Sequence, residues 1–231
     1  INFTIPITWE YGFKHFFGFH DEMLKKSNKT LFICIIRGPN KWINSLYRNP
    51  HHLQIKYADS MTNKEKYHKF LNDEFWSFDD LRKSKERKSF FGHDEQQEIM
   101  EDRNIYTQER YKNLFEARYT KTKYLIEDLP KKVKYYVLIR YEDLIHDFKN
   151  TMNIIKNTGI PMVNFKHFPV NTDKYKKSRK IIFDKNKTID EISSEFITKQ
   201  SSFNLKFEQQ LGYFLSPEFK AQQKEIKEKD I

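Results

Sequence analysis

The six residues Leu31–Ile36, LFICII, constrain the fold more than any other stretch of this chain. A short run that is apolar at every position and rich in isoleucine reads as a strand buried on both faces, the kind a parallel sheet keeps beneath helices. Arg37 and Gly38-Pro39 follow at once. Pro39 stands where a helix accepts proline, in its first turn. Trp42, Ile43, Leu46 and Tyr47 then recur at helical spacing until Asn49-Pro50 closes the element. The chain therefore ends a strand on a permanently charged guanidinium and passes directly into a helix.

The same order returns later. Residues 133–139, VKYYVLI, read as a second buried strand and are followed by Arg140. Leu144, Ile145, Phe148, Met152 and Ile155 mark a helix that stops at NTGIP, with Gly159 at C′ and Pro161 behind it. Between the two units, Tyr111, Leu114, Phe115, Arg118, Thr122, Leu125, Ile126 and Leu129 share one helical face, which predicts a helix over 107–129 ended by Pro130. Strand, helix, long helix, strand, helix implies an α/β fold whose parallel strands are joined by crossover helices. Two more helices are expected near 188–200 and 202–211.

Residues 51–105 are polar and weakly patterned. They read as an insertion carrying short helices around 64–72 and 94–102. Residues 1–215 thus form one domain, and 216–231 form a charged tail. There is no internal repeat.

With 42 Lys and Arg against 32 Asp and Glu, the formal net charge is +10. Such a balance favours an anionic partner, although a lysine-rich composition alone produces the same figure. The 21 Phe and 13 Tyr exclude a disordered chain. The single cysteine, Cys34, lies within the apolar run, where a thiol is a small hydrophobe; it argues for a reducing, cytoplasmic setting. No apolar run approaches membrane-spanning length, and no signal peptide is visible. His, Cys, Asp and Glu show no metal-ligand spacing, and HDEQQE at 93–98 lacks the HExxH pattern.

In an open parallel sheet, ligands bind beyond the carboxyl ends of the strands. Arg37 occupies that position, and its planar fork of donors suits a phosphate. Ser45, eight residues on and about two helical turns into the helix, offers a hydroxyl. Together they make an anion clamp, or else a surface arginine pairing with a carboxylate and a helix serine facing solvent. Arg118, on the apolar stripe of the long helix, requires a partner: a structural ion pair, or a ligand in an acceptor cleft. His51 and His52 follow the clamp helix in an exposed loop or at the edge of an acceptor site.

RGPNKWINS (37–45), VLIRYEDL (137–144) with its helix and TGIP, and LKFEQQLGY (205–213) occur in an order that resembles the sulfotransferase family. These enzymes take the sulfuryl group from 3′-phosphoadenosine 5′-phosphosulfate, on a P-loop-NTPase-like parallel sheet flanked by helices. The resemblance covers about residues 11–213 and is thin across 51–105. It implies that Arg37 and Ser45 hold the donor's 3′-phosphate. Tyr141, Glu142 and Asp143 match a structural segment that closes the strand and opens the helix. In TWEYGFKHFFGF (8–19), His15 matches by position the base that deprotonates the acceptor, and Lys14 a residue that stabilises charge on the bridging oxygen. The alternatives are a packing histidine among aromatics and a solvent-facing lysine. Residues 166–187 carry eight Lys and Arg against two Asp. The family's late basic segment puts Arg179 and Lys180, within KYKKSRK, forward as further phosphate contacts, though the family's glycine is missing there.

The family's Gly- and Ser/Thr-rich loop, which cradles the 5′-phosphosulfate after the first strand, has no counterpart in this sequence. The chain opens on Ile1, so the resemblance implies a fold that is N-terminally incomplete. The expected function is sulfuryl transfer to a hydroxyl or amine on a small molecule or glycan, without a metal. The alternatives are a catalytically impaired protein of the same fold that binds anions or partners, and, behind it, a basic nucleic-acid-binding protein.

Overall fold

The computed structural model of the chain describes Phe19, residues 21–50, Leu53 and residues 56–80, 96–98, 102–159 and 192–214. Over these residues the fold is mixed α/β. A four-residue helix α1 (Asp21–Leu24) leads into strand β1 (Leu31–Ile36), helix α2 (Pro39–Arg48) and helix α3 (Asn63–Asn72). Strands β2 (Phe78–Asp80) and β3 (Gln96–Glu98) form an antiparallel pair. Helix α4 (Leu114–Lys123) widens into a π-helical turn (Tyr124–Asp128) and continues as α5 (Leu129–Lys132). Strand β4 (Tyr135–Arg140), α6 (Tyr141–His146), α7 (Phe148–Lys156), α8 (Ser194–Thr198) and α9 (Leu205–Gln210) complete the order.

β1 and β4 pair in parallel from Leu31 opposite Tyr135 to Ile36 opposite Arg140. Parallel pairing puts the two carboxyl ends side by side, so Arg37 and Tyr141 leave the sheet as neighbours. On one face Phe32, Cys34 and Ile36 pack on Leu24, Tyr124, Leu125 and Leu129. On the other, Val137 and Ile139 of β4 pack on Ile155 of α7. That cluster reaches β1 only at Leu31: Ile33 and Ile35 remain 47% and 49% exposed. The expectation of a strand covered on both faces therefore holds for only one face of β1.

A further core joins α2, α3, α4 and α8 through Ile43, Phe70, Leu71, Leu114, Phe115 and Ile197. Asn44 of α2 locks Ile192 to this core by a two-way backbone pairing: its Nδ2 donates to Ile192 O (2.9 Å) and its Oδ1 accepts from Ile192 N–H (2.8 Å).

Several boundaries differ from the sequence expectation for local reasons. Asn113 caps α4 by accepting from Glu116 N–H, so the helix starts at Leu114 rather than 107. Tyr111, outside the helix, instead bridges Phe75 and is fully buried. Pro130 does not end the long helix. The π turn, in which Leu129 N–H reaches Tyr124 O, carries the chain past the proline into one more helical turn. The second strand consequently begins at Tyr135 and takes in Arg140. The helix expected over 94–102 is replaced at 96–98 by β3, whose Glu98 is held by Arg103 and Arg110. α8 is shorter than the helix expected near 188–200, opening where the Ser193 hydroxyl accepts from Phe196 N–H.

Candidate functional site

Two arginines stand at the carboxyl ends of the parallel strands, and their surroundings differ sharply. Arg140 is neutralised. Its Nε and Nη2 each donate to the Asp143 carboxylate at 2.7 Å, and Nη1 donates to Gly212 O at 3.2 Å. The carboxylate of Asp143 raises the guanidinium pKa further above its ordinary value. Arg37 makes no hydrogen bond and no ion pair among the described residues. Its guanidinium lies over the ring of Tyr141, Cζ 4.9 Å from the centroid. Its Nε is buried without a hydrogen-bond partner.

A buried guanidinium N–H left unpaired costs about 1–3 kcal/mol and is stabilised by any acceptor that reaches it. The nearby acids do not serve. Asp143 belongs to Arg140. Glu142 accepts from Gly38 N–H through Oε1 (3.1 Å) and from the Tyr213 hydroxyl through Oε2 (3.2 Å). Burial, followed by the Glu142 charge, holds the Tyr213 phenol above its ordinary pKa, so it remains a donor.

Gly38 shows why this corner is tight. Its backbone (φ −52°, ψ 136°) is open to any residue. A Cβ there, however, would stand 3.2 Å from Glu142 Oε1 and 3.3 Å from Tyr213 Cε1. Gly212 is glycine for two reasons: its φ is +83°, and a Cβ would collide with Arg140 Nη1.

Ser45 lies on α2 in line with Gly38 and Lys41, about 10 Å along the axis from Gly38. It is exposed, as is Lys41, while Ile43 and Asn44 take the buried face. No hydrogen bond joins Arg37 and Ser45, and the serine hydroxyl bonds nothing among the described residues. A phosphate held by both would rest against the start of α2, where the first-turn N–H groups of Asn40 and Lys41 and the positive end of the helix dipole add to the attraction. Lys41, to which the resemblance assigns no role, stands between them on the same line. Its signal was the i, i+3, i+7 spacing from Gly38.

Arg118 is a structural cation. Its Nε and Nη2 donate to Glu208 Oε1 and Oε2 at 2.5 and 2.8 Å, and its Cζ lies 5.3 Å from the Trp42 ring centroid. Both side chains of the pair are almost fully buried, at 5% and 4% exposed. The pair ties α4 to α9, with Trp42 of α2 against it.

Lys14, His15, His51, His52, Arg179 and Lys180 lie outside the described residues, as do 216–231. Among the described residues no three or more His, Cys, Asp or Glu gather as a metal site, and no helix is long and apolar enough to cross a membrane. No family model, curated protein sequence or solved structure matches this chain.

Proposed function

We propose that this chain is a sulfotransferase-like enzyme of P-loop-like α/β fold. It would transfer a sulfuryl group from 3′-phosphoadenosine 5′-phosphosulfate to a hydroxyl or amine of a small molecule or glycan. One observation carries the reading: of the two strand-end arginines, Arg37 alone is left without an anion, next to a helix N-terminus and with its Nε buried and unpartnered. The residues fit a phosphate. Arg37 supplies charge and a planar donor fork, Ser45 a hydroxyl, and the start of α2 its free N–H groups.

In this reading Arg37 and Ser45 hold the 3′-phosphate, with Arg179 and Lys180 as further cationic contacts. His15 takes the proton from the acceptor as its oxygen or nitrogen forms a bond to sulfur. The bond between sulfur and the nucleotide's phosphate oxygen breaks, and adenosine 3′,5′-bisphosphate leaves. Lys14 offsets charge on that departing oxygen. Positioning and charge stabilisation do most of the work in such a transfer.

The test is calorimetric titration with adenosine 3′,5′-bisphosphate, followed by a transfer assay with the full donor. Wild-type protein should bind, and Arg37→Ala should bind at least about tenfold more weakly, the worth of one charge-assisted contact. Absence of binding to the wild-type chain would overturn the proposal.

A further inference from the structure

We propose that Glu142 is a positioning residue for Arg37, holding the arginine out of ion pairing so that it is presented to an external anion. The inference rests on the reading of Arg37 as the anion-binding arginine. Consecutive residues grip Arg37 at two points. Tyr141 lies against its guanidinium, and Glu142 Oε1 accepts from Gly38 N–H, which belongs to the peptide plane that follows Arg37. Fixing that plane restrains the backbone where it leaves Arg37, and with it the Cα from which the side chain starts.

The second carboxylate oxygen is occupied by the Tyr213 hydroxyl, which keeps Glu142 from swinging across to the guanidinium. Tyr213 is brought there by the turn at Gly212, whose carbonyl accepts from Arg140, and Arg140 in turn takes up Asp143. Each acid of the Glu142-Asp143 pair is thus committed elsewhere, and Arg37 keeps its buried Nε without a partner. Three segments distant in sequence, at 37–38, 140–143 and 212–213, meet in this arrangement, and no local motif requires it.

The test combines two readouts on the same protein. Order at the Arg37 Nε–H, measured by 15N relaxation, should be near the rigid range in wild type and fall toward the flexible range, roughly from 0.85 to below 0.6, in Glu142→Ala. Affinity for adenosine 3′,5′-bisphosphate should fall about tenfold in the same variant, the scale of one lost hydrogen bond. Glu142→Gln keeps an acceptor for Gly38 N–H and should restore both. Tyr213→Phe removes only one contact to Glu142, and should produce a partial loss of order should Glu142→Ala not fold.

An unchanged Arg37 signal and affinity in Glu142→Ala, or an unchanged Arg37 signal in Tyr213→Phe where only that variant folds, overturns the positioning role while leaving the anion site intact. Loss of order in Glu142→Ala and its recovery in Glu142→Gln, with no nucleotide bound by wild type, supports the positioning role and overturns the nucleotide assignment instead.

Discussion

Removing the Arg118 charge should destabilise this protein more than removing both partners of its ion pair. Arg118 and Glu208 are 5% and 4% exposed and joined by two hydrogen bonds of 2.5 and 2.8 Å. In Arg118→Met the Glu208 carboxylate would remain buried with no compensating charge, at a cost of about 3–5 kcal/mol. That is a large share of the 5–15 kcal/mol or so that holds a typical domain together. In Arg118→Met/Glu208→Leu no charge is buried, and stability should return to within about 1 kcal/mol of wild type or exceed it. Urea unfolding followed by tryptophan fluorescence reads this directly, since Trp42 lies against the pair. With a slope of about 3 kcal/mol/M, the single variant should lower the midpoint by roughly 1–1.7 M. A double variant as unstable as the single one, or a single variant within about 0.3 M of wild type, would refute the reasoning. Folded Arg118→Met should also bind nucleotide like wild type, because this arginine serves the α4–α9 contact rather than a ligand.

Asn44→Ala strips Ile192 of a donor and an acceptor inside the core; it should cost about 2–3 kcal/mol in the same unfolding assay, where Asn40→Ala costs less. Arg110, then Arg103, hold the Glu98 carboxyl down at about 2, well below its ordinary value. A depressed carboxyl adds stability that is fully present above the unfolded pKa and lost as pH falls through the folded one. Acid unfolding should therefore show a contribution of about 1 kcal/mol, after allowance for solvent screening, disappearing from about pH 4.5 down to about pH 2, and Glu98→Gln should remove that slope. Burial pushes the Cys34 thiol up to about 12. It should resist a thiol-specific disulfide reagent at pH 8 in the native protein and react at once in denaturant; rapid native reaction would contradict its placement on the inner face of β1.

Part of this architecture is legible in the sequence because it is written locally. The apolar run 31–36 is bounded by turn-forming residues on either side, and β1 occupies it to the residue. The order of two strand-then-helix units implies parallel pairing, which places Arg37 beside Tyr141. Thr62 and Glu65 make a capping box that starts the helix expected near 64–72. What escaped is set by distant partners. An all-apolar strand does not reveal which face a helix will cover, so the exposure of Ile33 and Ile35 cannot be read from it. β2 and β3 are three residues each, FDD and QQE, and carry no alternation to recognise. The commitment of Glu142 to Gly38 and Tyr213 spans 104 and 71 residues. A YED segment by itself does not show it, because both partners lie far away in sequence.

The most direct test of the central claim compares two ligands on two proteins. Adenosine 3′,5′-bisphosphate and adenosine 5′-monophosphate differ only in the 3′-phosphate, and wild type and Arg37→Ala differ only in the guanidinium. If Arg37 grips that phosphate, calorimetry should show wild type preferring the bisphosphate by about tenfold or more, and Arg37→Ala losing most of that preference while binding the monophosphate as wild type does. A preference that survives the substitution, or a wild-type chain that takes up neither nucleotide, would contradict it.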